Sequence, residues 1–213
     1  MGKVFQRIEV AGAAFALALA TTSCTTILTE TAKKALEDRT TEDQVTDAKI
    51  GASIASSFAQ KDKSLLLAIG VDVWEQRVML TGTLDDPNTK DEVARLVRSD
   101  RRIRTLYDET QIVSKAEQAH RQEASQSRDA SKKEGIGQGV NDFWIESKIN
   151  AKLVATRGVT SVNYRWRSVR NIVYVIGRAR SEDELKTVLE VIRATDGVSQ
   201  VKPFVEIKPV SKS

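Results

Sequence analysis

The chain has 213 residues, 29% charged and 5% aromatic, with only three prolines. That balance suits a globular protein with polar connectors, excludes a wholly disordered chain and leaves room for one large domain or two small ones. A net charge of +4 is a mild basic bias, compatible with an anionic partner without requiring one, and a lone histidine (His120) with a lone cysteine (Cys24) excludes an internal disulfide and a His/Cys metal cluster.

The first residues do not read as fold. Lys3 and Arg7 precede an apolar run, Val10 to Ala20, that is too short to span a bilayer well and ends in small residues. This is the layout of a secretory signal. Two processing readings stand. Ala18-Leu19-Ala20 is a cleavage site that would release a soluble chain from Thr21. "TTSC" instead sets small residues before Cys24, and resembles a bacterial lipoprotein box with Thr21 where Leu is usual. Acylation of Cys24 is the expectation, because a free thiol in an oxidising compartment is otherwise a liability. The acyl chains would anchor the protein without a spanning helix. Residues 1–23 are then a signal and 24–41 a lipidated tether.

An internal repeat follows, with a fixed offset of 95 residues. Asp47 falls on Asp142, Ile50 on Ile145, Ile54 on Ile149 and Phe58 on Leu153. Gly82 then falls on Gly177, and Val97 on Ile192. In both copies apolar residues spaced by four predict a helix with one buried face. Next comes alternation (Leu67, Ile69, Val71, Val73; Val162, Tyr164, Trp166), then "RVMLTGTL" or "NIVYVIGRA" across a short polar turn, which predicts a hairpin. "DPNTKDEVARLVRS" and "SEDELKTVLEVIRAT" predict second helices, and closing strands are expected near Ile103–Val113 and Val198–Ile207. The expected fold class is α+β. Each copy, residues 42–113 and 140–209, runs α-β-β-α-β with two helices on one face of a three-stranded mixed sheet. Residues 114–139 are charged, Ser-rich and Gly-rich, and read as a flexible linker whose first part is a frayed helix. Residues 210–213 are a tail.

A "V-x-L-x-G" strand, a following helix and a closing "DGV-x-x-V" strand resemble the BON domain. The second copy carries this best, in "VYVIGRARSEDELKTVLEVIRATDGVSQVKPFVEI"; the first has Arg101-Arg102 where the Asp-Gly would sit. Two such units behind a lipobox-like Cys24 are similar to dual-BON outer-membrane lipoproteins of the DolP type, as is the opening "NDFWI-x-x-K". That resemblance implies a non-enzymatic periplasmic protein tethered to the outer membrane. It would bind anionic phospholipid through the first helix of its second BON domain and support envelope integrity. Barrel-assembly or division-site proteins are its implied protein partners.

The repeat supplies a control for the aromatics of "NDFWIESKINAKL", with Asn141 or Asp142 read as the helix N-cap. Ile145, Ile149 and Leu153 form a core stripe matched in the first copy. Trp144, Lys148, Ala151 and Ala155 form a neighbouring stripe, replaced there by Lys49, Ser53, Ser56 and Gln60. The fold therefore does not need Trp144. An amphipathic indole with Lys148 and Lys152 beside it suits a lipid headgroup boundary. The expected phospholipid-binding residues are Trp144, Ile145, Lys148, Ala151, Lys152 and Ala155. Phe143 is expected to pack against a neighbouring element, the strand residues Tyr164 and Trp166 to lie in the core, and Trp74 to be exposed in a hairpin turn. Arg98, Arg101, Arg102 and Arg104 read as charge at a helix end. No motif places a nucleophile, a base or a carboxylate pair, and no concentrated basic helix points to nucleic acid. No catalysis, small-molecule substrate, cofactor or nucleic-acid partner is expected. The competing reading is a soluble periplasmic BON-domain adaptor or osmotic-stress protein acting through protein contacts.

Overall fold

The computed structural model describes residues 36–126 and 138–209. The signal-like run, Cys24, most of the glycine-rich stretch and the tail lie outside the described residues. Asp38–Ser213 is a compact unit of its own, and it holds all three hydrophobic clusters described below.

The first copy comprises α1 (Thr41–Lys61), a single turn α2 (Leu65–Ala68), β1 (Ile69–Trp74), β2 (Arg77–Leu84), α3 (Pro87–Arg98) and β3 (Thr105–Ile112). A connecting helix α4 (Lys115–Gln126) leads to the second copy. That copy comprises α5 (Gln138–Ala155), a 3-10 turn Ser161–Asn163, β4 (Tyr164–Val169), β5 (Ile172–Ala179), α6 (Glu182–Arg193) and β6 (Gln200–Ile207). The fold is α+β with two three-stranded mixed sheets and six α-helices among the described residues. In each sheet the central strand is antiparallel to the first and parallel to the third.

Local chemistry explains the elements. Thr40 Oγ1 accepts the Asp43 N–H and caps α1, while Asp86 and Ser181 cap α3 and α6. Pro87, in the first turn of α3, has no N–H to waste there. Leu67, expected in a strand, lies instead in the turn α2, and β1 begins at Ile69. The glycine of each "V-x-L-x-G" strand allows close backbone passage. A Cβ at Gly82 would lie 2.0 Å from the Ala68 carbonyl oxygen, and one at Gly177 2.2 Å from that of Asn163. Both glycines have positive φ.

The two hairpin turns also have positive φ, but at non-glycine residues: Glu75 and Gln76, then Arg170 and Asn171. Each is held by a carboxylate from the first helix of its copy. Asp47 accepts the N–H groups of Glu75 and Gln76, both at 2.7 Å. Asp142 accepts those of Arg170 and Asn171, both at 2.9 Å. This corrects the capping assignment. The helix starts at Gln138, so neither Asn141 nor Asp142 is its N-cap, and the Asp142 carboxylate is committed to the hairpin.

Each copy has its own core between helices and sheet. In the first it is built on Ile50, Ile54, Phe58, Val78, Leu80, Val93 and Val97. In the second it is built on Ile145, Ile149, Leu153, Val173, Val175, Val188 and Ile192. The opposite faces of the two sheets pack on each other through a third cluster of Trp74, Met79, Val169, Tyr174 and Ile176. Both faces of the central strands are thus buried, which accounts for their continuous apolar runs. Trp74, expected to be exposed, is fully buried at this seam, with the Arg39 guanidinium 4.4 Å and that of Arg165 5.3 Å from its ring centroid.

The seam follows an approximate two-fold relation between positions 95 apart. Asp72 and Arg167, which are equivalent positions, meet each other at 2.8 Å. Tyr107 stacks on Phe204 with ring centroids 4.3 Å apart, and the equivalents of those two residues, Lys202 and Glu109, pair at 2.7 Å. Contacts that recur with the partners exchanged define an isologous interface. Arg77, fully buried, crosses the seam to the carbonyls of Gly177 and Phe204, each at 2.7 Å.

Two connectors are also fixed. Asp38 bonds bidentately to Arg180 at 2.6 and 2.8 Å and accepts from Asn163 at 2.7 Å. The chain therefore enters the first copy after binding the second. The first half of the expected linker is the helix α4, packed on α2 and on α5. Its Glu117 meets Arg121 at 3.2 Å and Arg170 at 3.1 Å, and Arg121 also reaches Asp142 at 3.4 Å.

Candidate functional site

Helix α5 presents an apolar outer face. Around the helix axis, Phe143, Val154, Ser147, Ala151, Trp144 and Ala155 occupy one continuous arc opposite the core stripe. Phe143 is 63% exposed, Trp144 50% and Val154 67%. The two rings meet edge to face with centroids 5.8 Å apart. Lys148 and Lys152 form one flank of the arc, and Asn150 lies at the other. Lys148 Nζ is 3.9 Å from the exposed Asp196 carboxylate, a loose pair that solvent screens. Lys152 Nζ donates to the Ala194 carbonyl at 3.0 Å. Both ammonium groups stay at the surface.

Most of the expected residues come together on this face. Trp144, Ala151 and Ala155 are exposed along it, with Lys148 and Lys152 at its edge. Ile145 does not join them. It is 1% exposed within the second core, because its position on the helix points at the sheet, and it is corrected here from a contact residue to a core residue. Phe143 is corrected in the other direction, from packing residue to exposed aromatic. Sequence reasoning does not single out Val154. The signal for it is present, since the same offset sets it against Ala59. Tyr164 is in the core, and Trp166 packs at its edge while donating from its indole to the Glu146 carbonyl at 3.3 Å. Of the basic run, Arg102 pairs with Asp100 and Arg104 with Glu206.

The other side of α5 faces the first copy across a cleft of about 220 Å³. Leu67, Ala68, Gln118, Phe143, Glu146 and Val169 are among the residues bordering it. Glu146 accepts the Ser168 N–H at 2.7 Å, and burial pushes its carboxyl above the usual range. Among the described residues, no group of three or more His, Cys, Asp or Glu side chains could hold a metal ion, and no helix is long and apolar enough to cross a membrane.

The family model of the BON domain matches residues 141–209. An uncharacterized protein from the gshII 5′ region of Anaplasma centrale is 31% identical over 141 residues, which cover 66% of this chain and 82% of that protein. Two solved structures of CdsD, a structural protein of the type III secretion system of Chlamydia trachomatis, one of them its C-terminal domain, are 13% and 12% identical to the chain. They cover 76% and 74% of this chain and 94% and 96% of their own, with TM-scores of 0.29 and 0.30, a likeness too distant to bear on function. The chain is a BON-domain protein, carrying that domain at residues 141–209, and belongs to one family with the Anaplasma centrale protein.

Proposed function

We propose that the protein binds anionic phospholipid bilayers through the outer face of α5, as a non-enzymatic component of the bacterial envelope. One observation carries this reading. The first helix of the second copy exposes Phe143, Trp144 and Val154 beside Lys148 and Lys152, whereas the equivalent positions of the first copy are Ala48, Lys49, Ala59, Ser53 and Ser57. Half-exposed aromatics cost solubility and contribute nothing to the fold that the first copy does without. At a headgroup boundary they gain hydrophobic burial, and each nearby lysine adds about 1 kcal/mol at an anionic surface. The resemblance to phospholipid-binding BON proteins points the same way.

In this reading the first copy is also a BON domain, on the strength of its identical strand order and its shared glycine and turn-holding aspartate. Acyl chains on Cys24 hold the protein at the periplasmic side of the outer membrane, where weak bilayer contact by α5 becomes effective through high local concentration.

The test is flotation of the unit Asp38–Ser213 with phosphatidylglycerol or phosphatidylcholine vesicles. Selective flotation on the anionic vesicles, lost in Trp144→Glu, is the expected result. Absence of wild-type flotation on either would rule out α5 as a lipid contact. Mass analysis of the mature N-terminus separately tests acylation of Cys24; an N-terminus at Thr21 would exclude it.

A further inference from the structure

We infer that the bilayer contact is shared by both copies, with Leu66 and Leu67 of the first entering the same anionic lipid surface as Phe143 and Trp144 of the second. The inference rests on the reading above and extends it to a region no BON match covers.

The turn α2 is Leu65–Ala68. Leu65 is buried in the first core, but Leu66 is 45% and Leu67 52% exposed. The equivalent positions in the second copy, Ser161 and Val162, lie in the 3-10 turn and carry no exposed large apolar side chain. The fold therefore makes this turn without paired leucines. Each copy thus departs from the shared pattern once by exposing large apolar residues, α2 in the first and α5 in the second. The seam between the sheets brings these two non-equivalent departures together. Leu67 and Phe143 border the same cleft, and α4, packed on both α2 and α5, holds the distance between them.

The order of residues around α5 sets the direction. Phe143 lies on the edge of the apolar arc toward the first copy, and Lys148 and Lys152 on the far edge. Phe143 and Trp144 therefore stand on one rim of the cleft and Leu67 on the other, with Gln118, Arg121, Asp142 and Glu146 among the groups lining it and the two lysines beyond Trp144. On the side of the first copy, Lys63 is exposed and lies three residues before Leu66 in the sequence. The neighbouring Asp62 is engaged by the Ser64 N–H at 2.8 Å. Exposed apolar side chains with ammonium groups on both copies match an anionic bilayer, whose phosphates lie beside its hydrocarbon.

The unit Asp38–Ser213 contains no cysteine, so Leu67→Cys can carry a polarity-sensitive fluorophore. On phosphatidylglycerol vesicles the label is expected to shift to the blue, and to stay unshifted on phosphatidylcholine. Leu67→Glu is expected to lower partition onto anionic vesicles about fivefold with an unchanged thermal midpoint, since the side chain is exposed. Three results would overturn the inference. If Leu67→Glu floats like wild type while Trp144→Glu does not, the lipid reading of α5 stands and the role of the first copy fails. A label at 67 that stays in water on floated protein fails it equally. If wild type does not float, both readings fall together.

Discussion

Two helices in this chain occupy equivalent places and have different surfaces. Helix α1 and helix α5 bury the same stripe, Ile50, Ile54 and Phe58 in one and Ile145, Ile149 and Leu153 in the other. Both lend an aspartate to a hairpin turn. They part on the outside, where α1 carries Lys49, Ser53 and Ser56 and α5 carries Trp144, Lys148 and Ala151. What the copies share is what the fold requires. What only one has is free to serve something other than the fold.

The largest effects should fall on the shared features. Gly82→Ala or Gly177→Ala forces a Cβ into a backbone oxygen and is expected to cost about 3 kcal/mol or more in either copy. Urea denaturation measures it, and a cost near zero in one copy would break the equivalence. Asp47→Ala and Asp142→Ala each remove the two hydrogen bonds that hold a hairpin turn on a charged acceptor, an expected loss of about 2–4 kcal/mol. Asp142 also accepts from Ser168 Oγ at 2.7 Å and from Arg121 at 3.4 Å, while Asp47 accepts from the buried Arg39 guanidinium at 2.6 Å, so the two substitutions should cost about the same.

Grafting comes next in size. Lys49→Trp with Ser56→Ala places the α5 pattern on α1. It is expected to leave stability within about 0.5 kcal/mol, as exposed substitutions do, and to restore only part of the flotation lost in Trp144→Glu. Full restoration would mean that it does not matter which copy carries the aromatic.

The smallest effects are electrostatic. Burial raises the Glu146 carboxyl pKa in the folded protein. The folded state then holds its proton more tightly, and stability falls as pH rises through the range above the ordinary glutamate value. Glu146→Gln should slightly raise the thermal midpoint at pH 7 and lose that advantage in acid. Asp38 behaves in the opposite sense. The hydrogen bond from Arg180 outweighs burial and holds its pKa below the usual range. Its contribution is present above the ordinary aspartate pKa and is lost as pH falls through the lowered value. Asp38→Asn should therefore flatten the acid limb of the stability profile.

The fold was legible because two signals agreed. Periodicity named the elements, and the repeat showed that the same apolar positions recur. Boundaries were less legible at Asp142, since an aspartate early in a helix reads as a cap and nothing local announces a hairpin 28 residues away. The burial of Trp74 was not legible for a related reason. A turn residue reads as exposed until the far face of its sheet is known to be covered, and that cover comes from the other copy. The outer stripe of α5 was legible in Trp144 but not in Phe143. Whether an aromatic at the edge of the outer arc packs depends on a neighbour placed by the seam, not by the helix.

The pair Asp72–Arg167 has a consequence for how chains recognise one another. It sits where each copy faces its own equivalent. If two first copies from different chains met through this face, aspartate would oppose aspartate; two second copies would set arginine against arginine. Only a first copy against a second brings opposite charges together. Fusing the two units in one chain thus lets a single position carry complementary charge, and it turns a surface that two like halves could share into one that rejects its own kind.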